Sequence, residues 1–438
     1  MEKIPHSVRL DVDKCKGCTN CIKHCPTEAI RVRGGKARII DDRCIDCGEC
    51  IRVCPHHAKR AVYDKLADII GKYKWLVALP APSLWGQFNN LDDMDYVIEG
   101  LKKIGFNDVY EVSKAAEIVS DYTRMLLNKR KLKKPVISSA CPAVVKLISV
   151  RFPSLIENVL PILAPVELAA KLARREAVKG TGFKPTEIGC VFISPCPAKV
   201  TAAKNPMFTA DSNIDATVSM GEIYLKLVGE MKRSDLEDEL SETGRIGLSW
   251  GASGGEAAAV LKDKYLAADG IKNVIRVLEE IENDKLDDMD FIELNACTGG
   301  CVGGVLTIEN PFVAKTRLYN LRKYLPVAKN VYNFDVVGTL DADRKYRAGS
   351  SMRLNGDVNT ALHMVNQIAE VQNHLPGLDC GSCGAPTCRA LAEDVVGGFA
   401  QESDCVFKLR EKIAGLYNEV FGGERYHNIK ENEGSDKK

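Results

Sequence analysis

Cys15, Cys18, Cys21 and Cys25, with Pro26 behind them, recur as Cys44, Cys47, Cys50 and Cys54 with Pro55. Both runs read C-x₂-C-x₂-C-x₃-C-P. Thiolates three residues apart on a short loop can hold three corners of an iron–sulfur cube, and the fourth must come from a distant residue. Proline then turns the chain away. Zinc ribbons and disulfides are the alternatives. Zinc takes four ligands, commonly as two C-x₂-C pairs, and tandem four-cysteine runs fit that poorly. The chemistry implied is one-electron transfer.

A second group is dispersed: Cys141 in ISSACPAVV, Cys196 in FISPCPAK, and Cys297 and Cys301 in FIELNACTGGCVGG. The first two follow apolar runs typical of buried strands, so they should leave the carboxyl ends of strands, where open α/β sheets build their sites. Four thiolates meeting there could hold one more cubane. The glycines between Cys297 and Cys301 should let the backbone approach a bulky group. A third group, Cys380, Cys383, Cys388 and Cys405, reads C-x₂-C-x₄-C-x₁₆-C, with zinc again as the alternative. Sixteen of the seventeen cysteines thus have cluster spacing, which puts redox chemistry first. The remaining one, Cys190, reads as a buried apolar side chain.

The two tandem runs have the spacing of bacterial two-cluster ferredoxins, in which Cys54 closes the cluster of Cys15, Cys18 and Cys21, and Cys25 closes that of Cys44, Cys47 and Cys50. Over about residues 1–330 the chain resembles the iron-only (FeFe) hydrogenases. S-S-A-C-P is similar to that family's T-S-C-C-P, S-P-C-P-A-K to its M-P-C-x-x-K, and E-L-N-A-C-T-G-G-C to its E-x-x-x-C-x-x-G-C. The resemblance implies reversible hydrogen oxidation, 2H⁺ + 2e⁻ ⇌ H₂, at an H-cluster. Its cubane would sit on Cys141, Cys196, Cys297 and Cys301. Cys301 would bridge to a diiron subcluster with CO, cyanide and azadithiolate ligands, which separate maturases install. Lys199 and the Ala81-Pro82-Ser83 segment match the residues that contact the two cyanides. A lysine beside a cluster ligand would offer charge and donors to an anionic group. The C-terminal cysteines resemble a small iron–sulfur domain of electron-transport and corrinoid-protein subunits. The implied cofactors are therefore three 4Fe–4S clusters plus the H-cluster.

Several positions depart from the family. Ala140 replaces a cysteine that passes protons to the bridge. Asn295 and Ser194 replace methionines, Leu160 replaces a relay serine, and KAAEIVSDYTRML lacks a glutamate pair. A slow enzyme, suited to sensing hydrogen or to regulation, is the expectation. Glu256 and Glu293 are the titratable candidates for a substitute proton relay. The rival readings are a multi-cluster electron carrier and an assembly scaffold, neither catalytic. Expected partners are H₂, protons, a redox protein such as ferredoxin, the maturases, and a signalling kinase or phosphatase.

These residues need a scaffold. WLVAL (75–79), DVYEV (108–112), PVISS (135–139), IGCVFIS (188–194), RIGLSW (245–250) and FIELN (291–295) read as strands. Helices are expected near 94–104, 114–130, 166–178, 220–232, 255–267 and 355–372. The fold class is α/β (α+β overall): a two-lobed catalytic domain with parallel sheets flanked by helices, a ferredoxin-like domain before it and a small iron–sulfur domain after it. The expected boundaries are 1–62, 63–365, 366–415 and a charged, disordered tail at 416–438. A net charge of +1 points away from nucleic acid. No apolar run reaches the ~20 residues that cross a bilayer. MEKIPHSVRLDVDK has no secretory h-region, so with so many thiolates a cytoplasmic location is expected.

Overall fold

The computed structural model describes residues 6–231, 240–344, 346 and 358–421. These fall into two compact units. One takes in the described residues of 1–14 and 41–352; the other takes in those of 15–40 and 353–438. The tail from 422 onward lies outside the described residues.

The larger unit is built on two parallel sheets. In the first, Asp108–Val109, Trp75–Pro80, Ile188–Ser194 and Ala216–Ser219 lie side by side in that order. Its register pairs Trp75 with Ile188 and Ser194 with Ser219. In the second, Phe291–Asn295 lies between Tyr265–Asp269 and Val136–Ile137. Ile188–Ser194 is buried at every position, as expected of a strand covered on both faces. Cys190 lies mid-strand with no exposed surface. Helix Pro165–Thr181 packs on these strands, and helix Val112–Lys129 packs in turn on Pro165–Thr181. The former opens on Pro165 and stops at Gly182, whose φ of 73° suits a left-handed cap.

Four elements differ from the sequence expectation. RIGLSW forms a short helix, Arg245–Ser249, not a strand. The alternation of Ile246 and Leu248 suggested a pleat. Gly247, however, lies so close to the 112–129 helix that a Cβ would come within 2.2 Å of the Ser113 carbonyl. The 255–267 helix ends at Ala259, and Tyr265–Asp269 is instead an edge strand paired with Phe291–Asn295. DVYEV keeps only Asp108–Val109 as strand, because Val112 already opens the long helix. PVISS likewise shortens to Val136–Ile137, releasing Ser138 to Ala140 from the sheet.

The smaller unit contains a hairpin, Ile30–Arg33 with Lys36–Ile39, turned by Gly34 and Gly35 at φ 56° and 71°. Two successive positive φ values define the tight turn that matches strand twist. Helices Val358–His374, Cys388–Val396 and Val406–Phe421 complete the unit.

Candidate metal centre and its carboxylate wall

The two sheets deliver their cysteines in the same way. Cys141 caps helix Pro142–Arg151 just after the short strand Val136–Ile137. Cys196 caps helix Pro197–Lys204 just after Ile188–Ser194. Both therefore stand at helix N-termini, where the macrodipole favours negative charge. Cys297 and Cys301 follow Phe291–Asn295 on a glycine-rich loop. At Gly300 (φ 89°) a Cβ would lie 2.4 Å from the Ser253 amide nitrogen, and at Gly303 2.0 Å from the Thr298 carbonyl. The loop thus needs glycine to pack against its own protein.

The four thiols share one electrostatic neighbourhood. Burial pushes Cys196 up to about 12, and the charges of Cys301 and Cys141 add to it while Lys199 opposes. Burial also raises Cys297 well above the usual thiol range, with Cys196, Cys141 and Cys301 contributing. Cys301 rises for the same reason, again eased by Lys199. Burial alone would depress the Lys199 ammonium, yet Cys301, Cys196, Cys141 and Glu256 outweigh it and hold its proton more tightly. Its Nζ donates to the Ala140 carbonyl at 3.1 Å.

The spacing of the thiols also bears on which metal they suit. A tetrahedral zinc with Zn–S near 2.3 Å would draw its sulfurs to roughly 3.8 Å from one another. Among the described residues, no three cysteine sulfurs lie within 4.8 Å of one another.

Beside Cys301 lies a cavity walled by Ala81, Pro82, Ala140, Lys199, Glu256 and Glu293. Next to Pro82, Ser83 is fully buried and its Oγ has no hydrogen-bond partner among the described residues, so it can bond a polar group bound there. The Ala140 methyl offers no proton. Behind it, Ser138 Oγ donates to Glu256 Oε2 at 2.6 Å and accepts from the Ala140 amide at 3.1 Å. Glu293 accepts from the Gly254 amide (3.1 Å), the Ala257 amide (2.8 Å) and Asn295 Nδ2 (2.6 Å). Burial raises both carboxyls, Glu256 to about 8 with Glu293's charge as the second cause. Three N–H donors favour the charged form of Glu293, so Glu256 is the member that keeps its proton. Leu160, by contrast, is buried and offers only backbone, its amide donating to the Ile137 carbonyl. Sequence reasoning missed Ser138. Its signal was a hydroxyl two residues before Ala140, in the very motif that carried the family resemblance.

The second tandem run packs on the Cys301 loop. Arg52 donates to the Gly303 carbonyl at 2.9 Å, and a Cβ on Gly48 would meet Val305 at 2.7 Å. Ile45 and Cys47 belong to the apolar cluster that holds Cys141 and Cys196. The two runs repeat each other in conformation. Positive φ recurs at Gly17 and Asp46, Thr19 and Gly48, and Glu28 and His57. An amide reaches each final sulfur in the same way, Ala29 to Cys25 at 3.2 Å and Ala58 to Cys54 at 3.3 Å. His56 and His57 are exposed.

In the smaller unit, Cys388 opens the Cys388–Val396 helix capped by Thr387, and Cys405 precedes the last helix. Burial raises the Cys383 thiol, with the charges of Cys405 and Cys380 adding to it. This cysteine loop is bound to the hairpin of the same unit. Val32 donates its amide to the Gly384 carbonyl (2.7 Å) and Arg33 donates to the Cys383 carbonyl (2.8 Å). Arg31 Nε and Arg33 Nη2 both reach Asp394 Oδ2 at 2.7 Å. Asp394→Ala would leave two arginines without their shared partner. We expect it to cost the unit roughly 3 kcal/mol, seen as earlier loss of the C-terminal cluster's visible absorbance in a denaturant titration. An unchanged midpoint would refute the clamp.

These features define an iron–sulfur oxidoreductase. Residues 74–305 match the model of the "Iron only hydrogenase large subunit, C-terminal domain", and the chain belongs to that family. Residues 7–55 match a 4Fe–4S dicluster domain and 375–407 an Fe–S cluster domain. The chain is 28% identical to the large subunit of a periplasmic Fe hydrogenase from Nitratidesulfovibrio vulgaris over 74% of its length and 93% of the relative's. It is 22% identical to iron hydrogenase 1 of Clostridium pasteurianum, covering 60% of this chain and 57% of that one, so it spans little more than half of the latter. A solved FeFe-hydrogenase studied for oxygen inactivation of its H-cluster superposes with a TM-score of 0.48 at 16% identity, over 63% of this chain and 94% of that one. Among the described residues, no helix is long and apolar enough to cross a membrane.

Proposed function

We propose that this chain interconverts H₂ with protons and electrons, slowly, in a sensing or regulatory role. The observation that carries this reading is the meeting of four cysteines and Lys199 beside a cavity walled by two buried carboxylates. Cys141, Cys196, Cys297 and Cys301 would hold the cubane of an H-cluster. Lys199 and Ala81–Ser83 would face the diiron part. When bound, that group supplies the making and breaking of the H–H bond and passes electrons singly to its cubane.

The chain's own residues do the rest. Lys199 offsets the thiolates' charge and fixes the Ala140 carbonyl. Glu256 keeps a proton at its carboxyl, on the cavity wall, with Ser138 donating to its other face. Glu293, held by three N–H donors, raises the carboxyl of its neighbour. Proton delivery through a carboxyl in place of a thiol fits slow turnover. Electrons would leave through the Cys44–Cys50 run packed on the Cys301 loop, and the other ferredoxin cluster and the C-terminal one would relay them onward. A ferredoxin-type protein would receive them, in a reducing cytoplasm, with a kinase or phosphatase reading the outcome. The test is H₂–D₂O exchange by chain co-produced with hydrogenase maturases. Slow but measurable exchange is expected. Absence of exchange in maturase-loaded protein would leave an electron carrier or scaffold.

A further inference from the structure

The final helix, Val406–Phe421, begins directly after the cluster cysteine Cys405. It carries Val406, Leu409, Ile413, Leu416 and Val420 in steps of three, four, three and four residues. That is the a/d rhythm of a coiled-coil seam. All five are 39–69% exposed, so the stripe is left uncovered where a core-facing helix would bury it.

The flanking charges indicate what covers it. With Val406 at position a, Lys412 and Glu419 both fall at g. Neither has an ion-pair partner among the described residues. In a parallel pair g faces e, and Lys412 would meet Tyr417. In an antiparallel pair g faces g, so Lys412 of each copy meets Glu419 of the other. The same alignment stacks Ile413 on Leu416 and Leu409 on Val420, twice each, giving four apolar layers. A surface that complements itself in shape and charge under a two-fold rotation is what closes a dimer.

We propose that this helix pairs with the same helix of a second copy as an antiparallel coiled coil, making the protein a homodimer. This does not depend on what the cavity binds. Sixteen helical residues rise about 24 Å. The pairing therefore sets the two Cys405 ends about one helix length apart, and dimerisation joins the molecules without fusing their C-terminal clusters.

Sedimentation velocity of the full-length, cluster-loaded protein across a concentration series tests it. A reversible monomer–dimer equilibrium is expected. Ile413→Glu should weaken it more than tenfold with unchanged iron content, since this side chain is on the surface. K412E and E419K should each weaken it, and the double charge swap should restore it. Protein monomeric at every concentration overturns the proposal. So does a dimer indifferent to Ile413→Glu, or charge swaps that fail to rescue one another.

Discussion

Glu256→Ala should lower hydrogen turnover by about 10²- to 10⁴-fold, the usual contribution of a positioned proton donor, with iron content and visible spectrum unchanged. The carboxyl is buried, bonded to Ser138 at 2.6 Å, and raised to about 8 by burial and by Glu293. Proton reduction should therefore fall as pH passes about 8, and the alanine variant should lose that inflection. The stability linkage has the same sign. The folded carboxyl binds its proton more tightly than the unfolded one, whose value is near 4.5. Its contribution is complete below about 4.5 and lost as pH rises through about 8. Turnover and pH profile unchanged in the variant would remove Glu256 from the path. Ala140→Cys, which restores a thiol at the cavity wall, should raise turnover in either background.

Lys199→Ala should be at least as damaging, and for a different reason. The ammonium stands among Cys141, Cys196 and Cys301. Its removal leaves their thiolate charge buried without compensation, a loss of about 3–5 kcal/mol. At least a hundredfold less activity and reduced iron at this centre are expected, while the other clusters persist by EPR. Lys199→Arg should retain the iron but not full activity, because a guanidinium is larger and planar. Full iron and activity in the alanine variant would show that the lysine is a bystander.

The residues that carry this chemistry were largely legible in the sequence, because cluster ligands are fixed by residue type and short spacing. Cys141 and Cys196 could be placed at strand ends, since the apolar runs before them were unambiguous. Glu293 was legible within the E-L-N-A-C-T-G-G-C motif, and Glu256 as a carboxylate beside the GASGG turn. The hydrogen bonds that distinguish Glu256 from Glu293 were not, because Ser138, Gly254 and Ala257 reach them across the fold. The glycines of the Cys297–Cys301 loop were legible as room for a bulky group, but the Ser253 amide that Gly300 also clears lies across the fold, where no local pattern encodes it. RIGLSW misled because five residues of alternation also fit one turn of helix. The Arg31 and Arg33 pairing with Asp394 joins residues more than 360 apart, which no local pattern encodes.

Infrared spectroscopy of maturase-loaded protein tests the central claim most directly. Bands of metal-bound CO and cyanide, lost when Cys301 is replaced by serine, are the predicted result. A fully loaded sample with four-iron clusters and no such bands would contradict a diiron centre at the Lys199 cavity.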